Sequence, residues 1–276
     1  MEDINSITIH VDDEEKNLYI SRTENIKSEA LSPCCMTIDD VDYEMSKGKN
    51  KEILQICGMN QESFEYFIKK YGHTYRYLYF FKCQLIFDFS LLSTLENLER
   101  VDIYWNIRAT NLWDFSKNYK LKTLIISDAK RLIFNPNLLQ TSSTLENVIL
   151  SGSVFTNYPM ESLKCFANMP NLKYLNLNSI RLNDKDMSTL NTLSSLVTFD
   201  FDAGMLTTEE IAWIVAKYPH ISGKCLCAYN TEDAFLNDVR VCGFRKPGLD
   251  LPQQHKRLDK YIQEFNNLVE KYRNEN

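Results

Sequence analysis

A nine-residue frame that recurs along the chain constrains the fold more than any other feature of the sequence. In the run LERVDIYWN, apolar residues stand at Leu98, Val101 and Ile103, and Asn106 closes the frame. The same spacing returns at Tyr75, Leu78, Phe80 and Cys83; at Leu121, Leu124 and Ile126; at Leu145, Val148 and Leu150; at Leu172, Leu175 and Leu177; and at Leu196, Phe199 and Phe201. Weaker copies flank these six, Leu54 with Ile56 before and Cys225 with Cys227 and Asn230 after, the last with one extra residue between Ile221 and Cys225. The first members of the apolar pairs fall at 54, 78, 101, 124, 148, 175, 199 and 225, so the unit is 23 to 27 residues long. One such unit cannot bury its own apolar face, and tandem copies must stack to do so.

On these residues the chain resembles the leucine-rich repeat family over about residues 50 to 230. The resemblance implies an α/β solenoid, a curved horseshoe with one parallel strand per repeat on a concave sheet and a mixed helix and loop convex side. The ninth position, where the family prefers Asn or Cys, conforms only at Cys83, Asn106 and Asn230; Ala129, Ser153, Ile180 and Gly204 depart, so irregular turns are expected. The short repeats look like those of cytoplasmic, bacterial-style members, which implies a binding module without catalytic activity.

Some return segments carry helix signals of their own. Thr207 and Glu210 form a capping box ahead of Ile211, Ile214, Val215 and Tyr218, and Pro219 closes the helix. Asn60 opens a second helix with Phe64, Phe67, Ile68 and Tyr71 on one face, ended by Gly72. A third run, Asn183 to Leu193, carries Met187 and Leu190, whereas the segments after Asn106 and Ala129 read as loops or 3₁₀ turns. Open solenoid ends need caps. Residues 1–50 read as an N-terminal cap, with a β-hairpin from Ile7, Ile9 and Val11 to Leu18 and Ile20, then an irregular connection. Residues 51–230 hold about eight repeats. Residues 231–276 read as a C-terminal cap, with a strand at Val239 and Val241 and an amphipathic helix over 253–273.

Side chains beside the inward pair point to the opposite sheet face. Across the repeats that face collects Tyr77, Tyr79, Phe81, Arg100, Asp102, Tyr104, Trp105, Asp128, Tyr174, Asn176, Asn178, Asp200, Asp202 and Tyr229, aromatic at the front and acidic at the rear. Exposed aromatics bury much area at low rotamer cost. The expected function is therefore a peptide or protein site centred on Tyr79, Tyr104 and Trp105, with the aspartates selecting a basic partner. A neutralising partner, an immunity protein or enzyme inhibitor using concave and loop surfaces together, is the alternative.

Composition narrows the remaining classes. A net charge of −6, from 31 basic and 37 acidic residues, argues against a nucleic-acid binder held by phosphate contacts. No apolar run reaches the roughly 20 residues of a membrane span. The first fifteen residues are acidic and lack an apolar core, and eight cysteines at irregular spacings suit buried thiols, so a cytoplasmic, reducing address is expected. No P-loop, dinucleotide fingerprint, zincin or nucleophile-elbow motif is present, so neither an enzyme nor a cofactor is expected. His10, His73, His220 and His255 stand apart from any nucleophile in sequence. His220, Cys225, Cys227 and Cys242 lack the paired spacing of a zinc site, and Cys34 and Cys35 read as an inert loop.

Overall fold

The apolar pairs become strands that share one register. In the computed structural model, which describes residues 17–20 (backbone), 36–47, 52–134, 136–232, 234 and 236–275, the elements begin with strand β1 (Asn17–Ile20), helix α1 (Ile38–Lys47), strand β2 (Ile53–Cys57) and helix α2 (Gln61–Lys70). Next come β3 (Tyr77–Phe81), β4 (Arg100–Tyr104), β5 (Thr123–Ser127), α3 (Lys130–Phe134) and β6 (Asn147–Ser151). They continue through β7 (Tyr158–Met160), β8 (Tyr174–Leu177), β9 (Ile180–Leu182), β10 (Thr198–Phe201) and α4 (Thr208–Lys217). The chain closes with β11 (Tyr229–Asn230), β12 (Val239–Val241), β13 (Gly248–Leu249) and α5 (His255–Asn274).

Eight strands form one parallel sheet in the order β1-β2-β3-β4-β5-β6-β8-β10. Leu54, Leu78, Val101, Leu124, Val148, Leu175 and Phe199 stand opposite one another in turn, and Ile56, Phe80, Ile103, Ile126 and Leu150 do the same two residues on. Both columns are buried. A slip of one residue would turn every one of these side chains outward, so the apolar pair fixes the pairing. This is the leucine-rich repeat solenoid that the repeat implies.

A second column lies just before the strands. Glu52, Arg76, Glu99, Lys122, Glu146 and Lys173 alternate in charge from repeat to repeat. Arg76 pairs with Glu52 at 2.9 Å and Glu99 at 2.7 Å, and Glu146 takes Lys122 at 2.5 Å and Lys173 at 2.7 Å. Hydrogen bonds from Arg76 hold the Glu99 carboxyl below the ordinary glutamate range, and those from Lys122 and then Lys173 do the same for Glu146.

Helical returns occur where a reciprocal cap exists. Asn60 accepts from Ser63 N at 2.9 Å while Ser63 Oγ accepts from Asn60 N, and Thr207 and Glu210 exchange the same pair of bonds. Between these two helices the returns are 3₁₀ turns at 90–94, 115–117, 137–141, 163–166 and 187–192, with the short α3 as the exception. The helix expected over 183–193 is thus a 3₁₀ turn at Met187–Thr192, because Asp186 caps only the N–H two residues on, at 2.9 Å. The longest repeat adds a short strand, β7, which pairs in parallel with β9 of the next repeat.

The eighth strand, expected at Cys225 and Cys227, does not form. Ser222 bridges Thr198, but the next free N–H, that of Lys224, donates to the Asp200 carboxylate at 2.9 Å. The extra residue after Ile221 leaves that donor off the ladder, and the chain turns into the antiparallel sheet β11-β12-β13. At the front, β1 extends the sheet in phase, Leu18 beside Leu54 and Ile20 beside Ile56. The partner strand of the expected hairpin, residues 7–11, lies outside the described residues, as do His10, Cys34 and Cys35. At the back, Phe265 and Val269 of α5 enter the main core beside α4, and Leu258 closes a smaller cluster with Val239, Val241 and Leu249.

Buried asparagines tie the returns together. Asn118 donates from Nδ2 to the Leu92 and Leu95 carbonyls at 2.9 and 3.0 Å, and its Oδ1 accepts from Trp113 Nε1 at 2.8 Å. Asn118→Ala leaves Trp113 Nε1 without its partner in the core and removes one of two donors from each carbonyl, which keep the Leu95 and Leu98 N–H groups, and should cost about 2 kcal/mol by urea unfolding, whereas Asn171→Ala, with one exposed bond to Ser143 O, should cost under about 1 kcal/mol. The charge column makes a second prediction. Because the folded-state values of Glu99 and Glu146 lie below the ordinary 4.5, their stabilisation is present above that value and is lost as pH falls through the lowered folded values. Unfolding midpoints measured from pH 6 downward should therefore fall less steeply in the Glu99→Gln, Glu146→Gln double variant than in wild type.

Candidate interaction surface

The outer face of the sheet carries three columns set by the same register. Gln55, Tyr79, Asp102, Ile125, Ile149, Asn176 and Asp200 form the central one. Tyr77, Arg100 and Tyr174 stand on the strand-start side, and Phe81 and Tyr104 on the strand-exit side. The nominated residues on β3, β4, β8 and β10 share this face, but they do not share a role.

The front is an aromatic cluster with half-buried rings. Phe81 and Tyr104 stack at 5.3 Å with 26° between planes, and Tyr79 packs on Phe81 at 6.0 Å. Lys82 Nζ lies 5.1 Å from the ring centres of both Phe81 and Trp105, a cation held between two π faces. Lys82, Trp105, Asp128 and Ser179 follow their strands in left-handed backbone, at φ near 52°, 58°, 52° and 53°. The N–H groups of Lys82, Trp105 and Asp128 still reach the next strand's carbonyls, Tyr104, Ser127 and Ser151, at 3.0, 2.9 and 3.0 Å. The left-handed residue then drives the ninth frame position inward, so Cys83, Asn106, Ala129 and Ile180 are buried. The turns expected to be irregular for lack of Asn are therefore regular at Ala129; the departure comes at Ser153, which stays half-buried where the chain loops out. Asn106 bonds across to the Cys83 and Ile86 carbonyls at 2.8 Å each, and the Cys83 thiol donates across to the Ile56 carbonyl at 3.7 Å. Burial pushes the Cys83 thiol up to about 12, as befits a core group.

The carboxylates are engaged inside the molecule. Asp102 is only 7% exposed and takes a bidentate fork from Arg100 Nε and Nη2, each at 2.8 Å. Burial pushes its carboxyl up and the Arg100 fork opposes that. Asp128 accepts from the Tyr158 hydroxyl. Asp200 accepts from Lys224 N and from the Tyr174 hydroxyl at 3.1 Å, and Asp202 accepts from Ser179 N at 2.6 Å. Asn176 donates to Tyr174 and accepts from Asn178 N, both at 3.0 Å. Burial raises the Tyr174 hydroxyl. The rear half is thus a hydrogen-bonded network that seals the last strands, and Tyr229 stands apart from it in the antiparallel β11.

Two features escaped the sequence reading. Ile125 and Ile149 occupy the between-pair position of their strands and make the middle of the face apolar. Val154 and Phe155, the latter 96% exposed, project from the turn 153–156 at the exit edge, two strands along from Trp105. Elsewhere, a cavity of about 400 Å³ between α4, α5 and the 187–192 turn is lined by Met187, Trp213 and Tyr272 among others and by none of the face residues. Among the described residues, no group of three or more His, Cys, Asp or Glu side chains is arranged to hold a metal, and no helix is long and apolar enough to cross a membrane.

No family model matches the sequence, and no curated protein does. Among solved structures, the chain is similar to an internalin C2 from Listeria monocytogenes, with a TM-score of 0.41 and 21% identity over 54% of this chain and 60% of that one. The match spans less than two thirds of that protein's length and bears no weight for function.

Trp105 separates a surface role from a structural one. Its left-handed backbone costs a non-glycine residue about 1 kcal/mol or more, so Trp105→Gly should lose less than about 1 kcal/mol in urea unfolding, relief of the backbone offsetting the lost ring contacts. A larger loss would assign the ring to the fold.

Proposed function

We propose that this chain is a non-catalytic interaction module that binds a peptide or protein on the outer face of its sheet. One observation carries the reading: a stacked, half-exposed aromatic set is held on a rigid parallel sheet, beside apolar Ile125 and Ile149, while Asp102, Asp128, Asp200 and Asp202 are engaged by internal partners. Tyr77, Tyr79, Phe81, Tyr104 and Trp105 are the anchors. Arg100, Asp102, Asp128, Tyr174, Asn176, Asp200 and Asp202 shape and stiffen the face, so a partner is chosen by aromatic and apolar fit more than by its positive charge. The domain reading follows: residues 51–230 carry the site, and the segments on either side cap it. The short 3₁₀ returns support the bacterial-style resemblance. The described cysteines are all free thiols, which supports a reducing, cytoplasmic address.

A second reading, a neutralising partner that grips one target with face and loops together, is favoured by Phe155, whose side chain is almost wholly exposed at the exit edge. With Val154 beside it, also exposed, Phe155 makes a contiguous apolar patch, and such patches mark contact sites.

Affinity capture from the native host should return a partner with wild type and lose it with the Tyr79→Ala, Tyr104→Ala, Trp105→Ala triple variant, circular dichroism being unchanged. Phe155→Ala should weaken a one-to-one neutralising complex at least tenfold and leave a face-only complex intact. Capture that persists in the triple variant would move the site off the sheet.

A further inference from the structure

The last repeat and the C-terminal cap meet at a cluster of three thiols that the proposed interaction surface does not use. Cys225 and Cys227 lie in the turn that replaces the eighth strand, and Cys242 follows β12. Cys227 Sγ lies 4.0 Å from Cys242 Sγ, in van der Waals contact. Asn230 Nδ2 donates to Cys225 Sγ at 3.1 Å and reaches Cys242 Sγ at 3.7 Å, holding the two buried sulfurs to one side. Backbone pairing fixes the approach: Tyr229 opposes Val241, and Cys242 N donates to Ala228 O at 2.9 Å. Cys225 and Cys242 are buried, whereas Cys227 is half-buried and open to solvent. The three do not form a metal arrangement. What the geometry offers instead is an accessible thiol touching a buried one.

We propose that Cys227 and Cys242 are a redox modification site, forming a reversible disulfide that clamps the C-terminal cap to the last repeat. The oxidant is a hydroperoxide. The Cys227 thiolate attacks the distal peroxide oxygen, the O–O bond breaks, and protonation of the leaving oxygen gives an alcohol, or water from hydrogen peroxide; Cys227 becomes a sulfenic acid. The Cys242 sulfur then attacks Cys227 Sγ and displaces hydroxide, which leaves as water with the proton of Cys242. Two thiols lose two electrons and two protons, and the peroxide gains both. Closing the 4.0 Å gap to a bond takes a side-chain rotation at half-buried Cys227, since the Cys242 N to Ala228 O bond already holds the backbones side by side. A dithiol reductant reverses the step.

The test uses the full chain, treated with hydrogen peroxide, blocked with an alkylating agent and digested with trypsin. Cleavage after Lys224, Arg240 and Arg245 leaves the Cys225–Cys227 segment and Cys242 on separate peptides. A linked peptide, short of two hydrogens and abolished by dithiothreitol, is expected, with fragmentation placing the bond at Cys227. Cys227→Ser should remove it without loss of fold, because that site is only half-buried. Should Cys227 instead proceed to sulfinic acid or stay alkylatable while free glutathione in the same tube is oxidised, the proposal fails. A bond placed between Cys225 and Cys242, or a link that survives Cys227→Ser, overturns it equally.

Discussion

Everything in this molecule depends on a parallel ladder whose apolar columns are in phase. Each strand contributes two inward side chains, and neither has a partner until the neighbouring repeat supplies one. The sheet hydrogen bonds fix the spacing between strands, and burial fixes the phase, since a one-residue slip would expose Leu78, Val101, Leu124 and Val148 together. The alternating column from Glu52 to Lys173 acts on the same register by another route. A slipped neighbour would separate the paired charges. Exposed ion pairs contribute little each, so their value here lies in ordering the repeats more than in holding them.

The same ladder decides where chemistry can be displayed. Because inward positions are filled by the core, only the between-pair residues and the left-handed exits are available to a partner. The fold spends most of the acidic ones on itself. Asp200 accepts the Lys224 N–H that a further strand would have placed in the ladder, which ends the sheet there, and Asp202 accepts the Ser179 N–H at the exit of β8. Asp102 is locked under Arg100. What remains outward is Tyr79, Phe81, Tyr104 and Trp105 at the front and Ile125 with Ile149 in the middle. A rigid aromatic surface of this kind loses little entropy on binding.

The sequence made the apolar frame, the capping box at Thr207, the helix start at Asn60 and the last amphipathic helix legible, because each is a local pattern whose meaning does not depend on distant residues. Strand positions from Leu54 to Phe201 and the helices after Asn60 and Thr207 follow from spacing alone. The frame at Cys225 misled for an equally local reason. It has the right residues, but the inserted residue before it moves Lys224 N toward a carboxylate, and only the placement of Asp200 reveals that competitor. Met187 and Leu190 likewise read as helical, while the single-sided cap at Asp186 holds a 3₁₀ turn.

The amino-acid sequence by itself determined the architecture: a repeating apolar pair admits one way of burying its face, and stacking follows from the cost of leaving it exposed. Tertiary structure alone decided which surface residues are free to act. Glu99 and Lys122 stand twenty-three residues apart in the chain and become neighbours only through the parallel register. Asp102, Asp128 and Asp202 read as open charges until their partners are seen to close on them. Cys227 meets Cys242 because the cap sheet folds back. In each case the deciding interaction is short-ranged, and the partner that satisfies it is brought close by the fold, not by the chain.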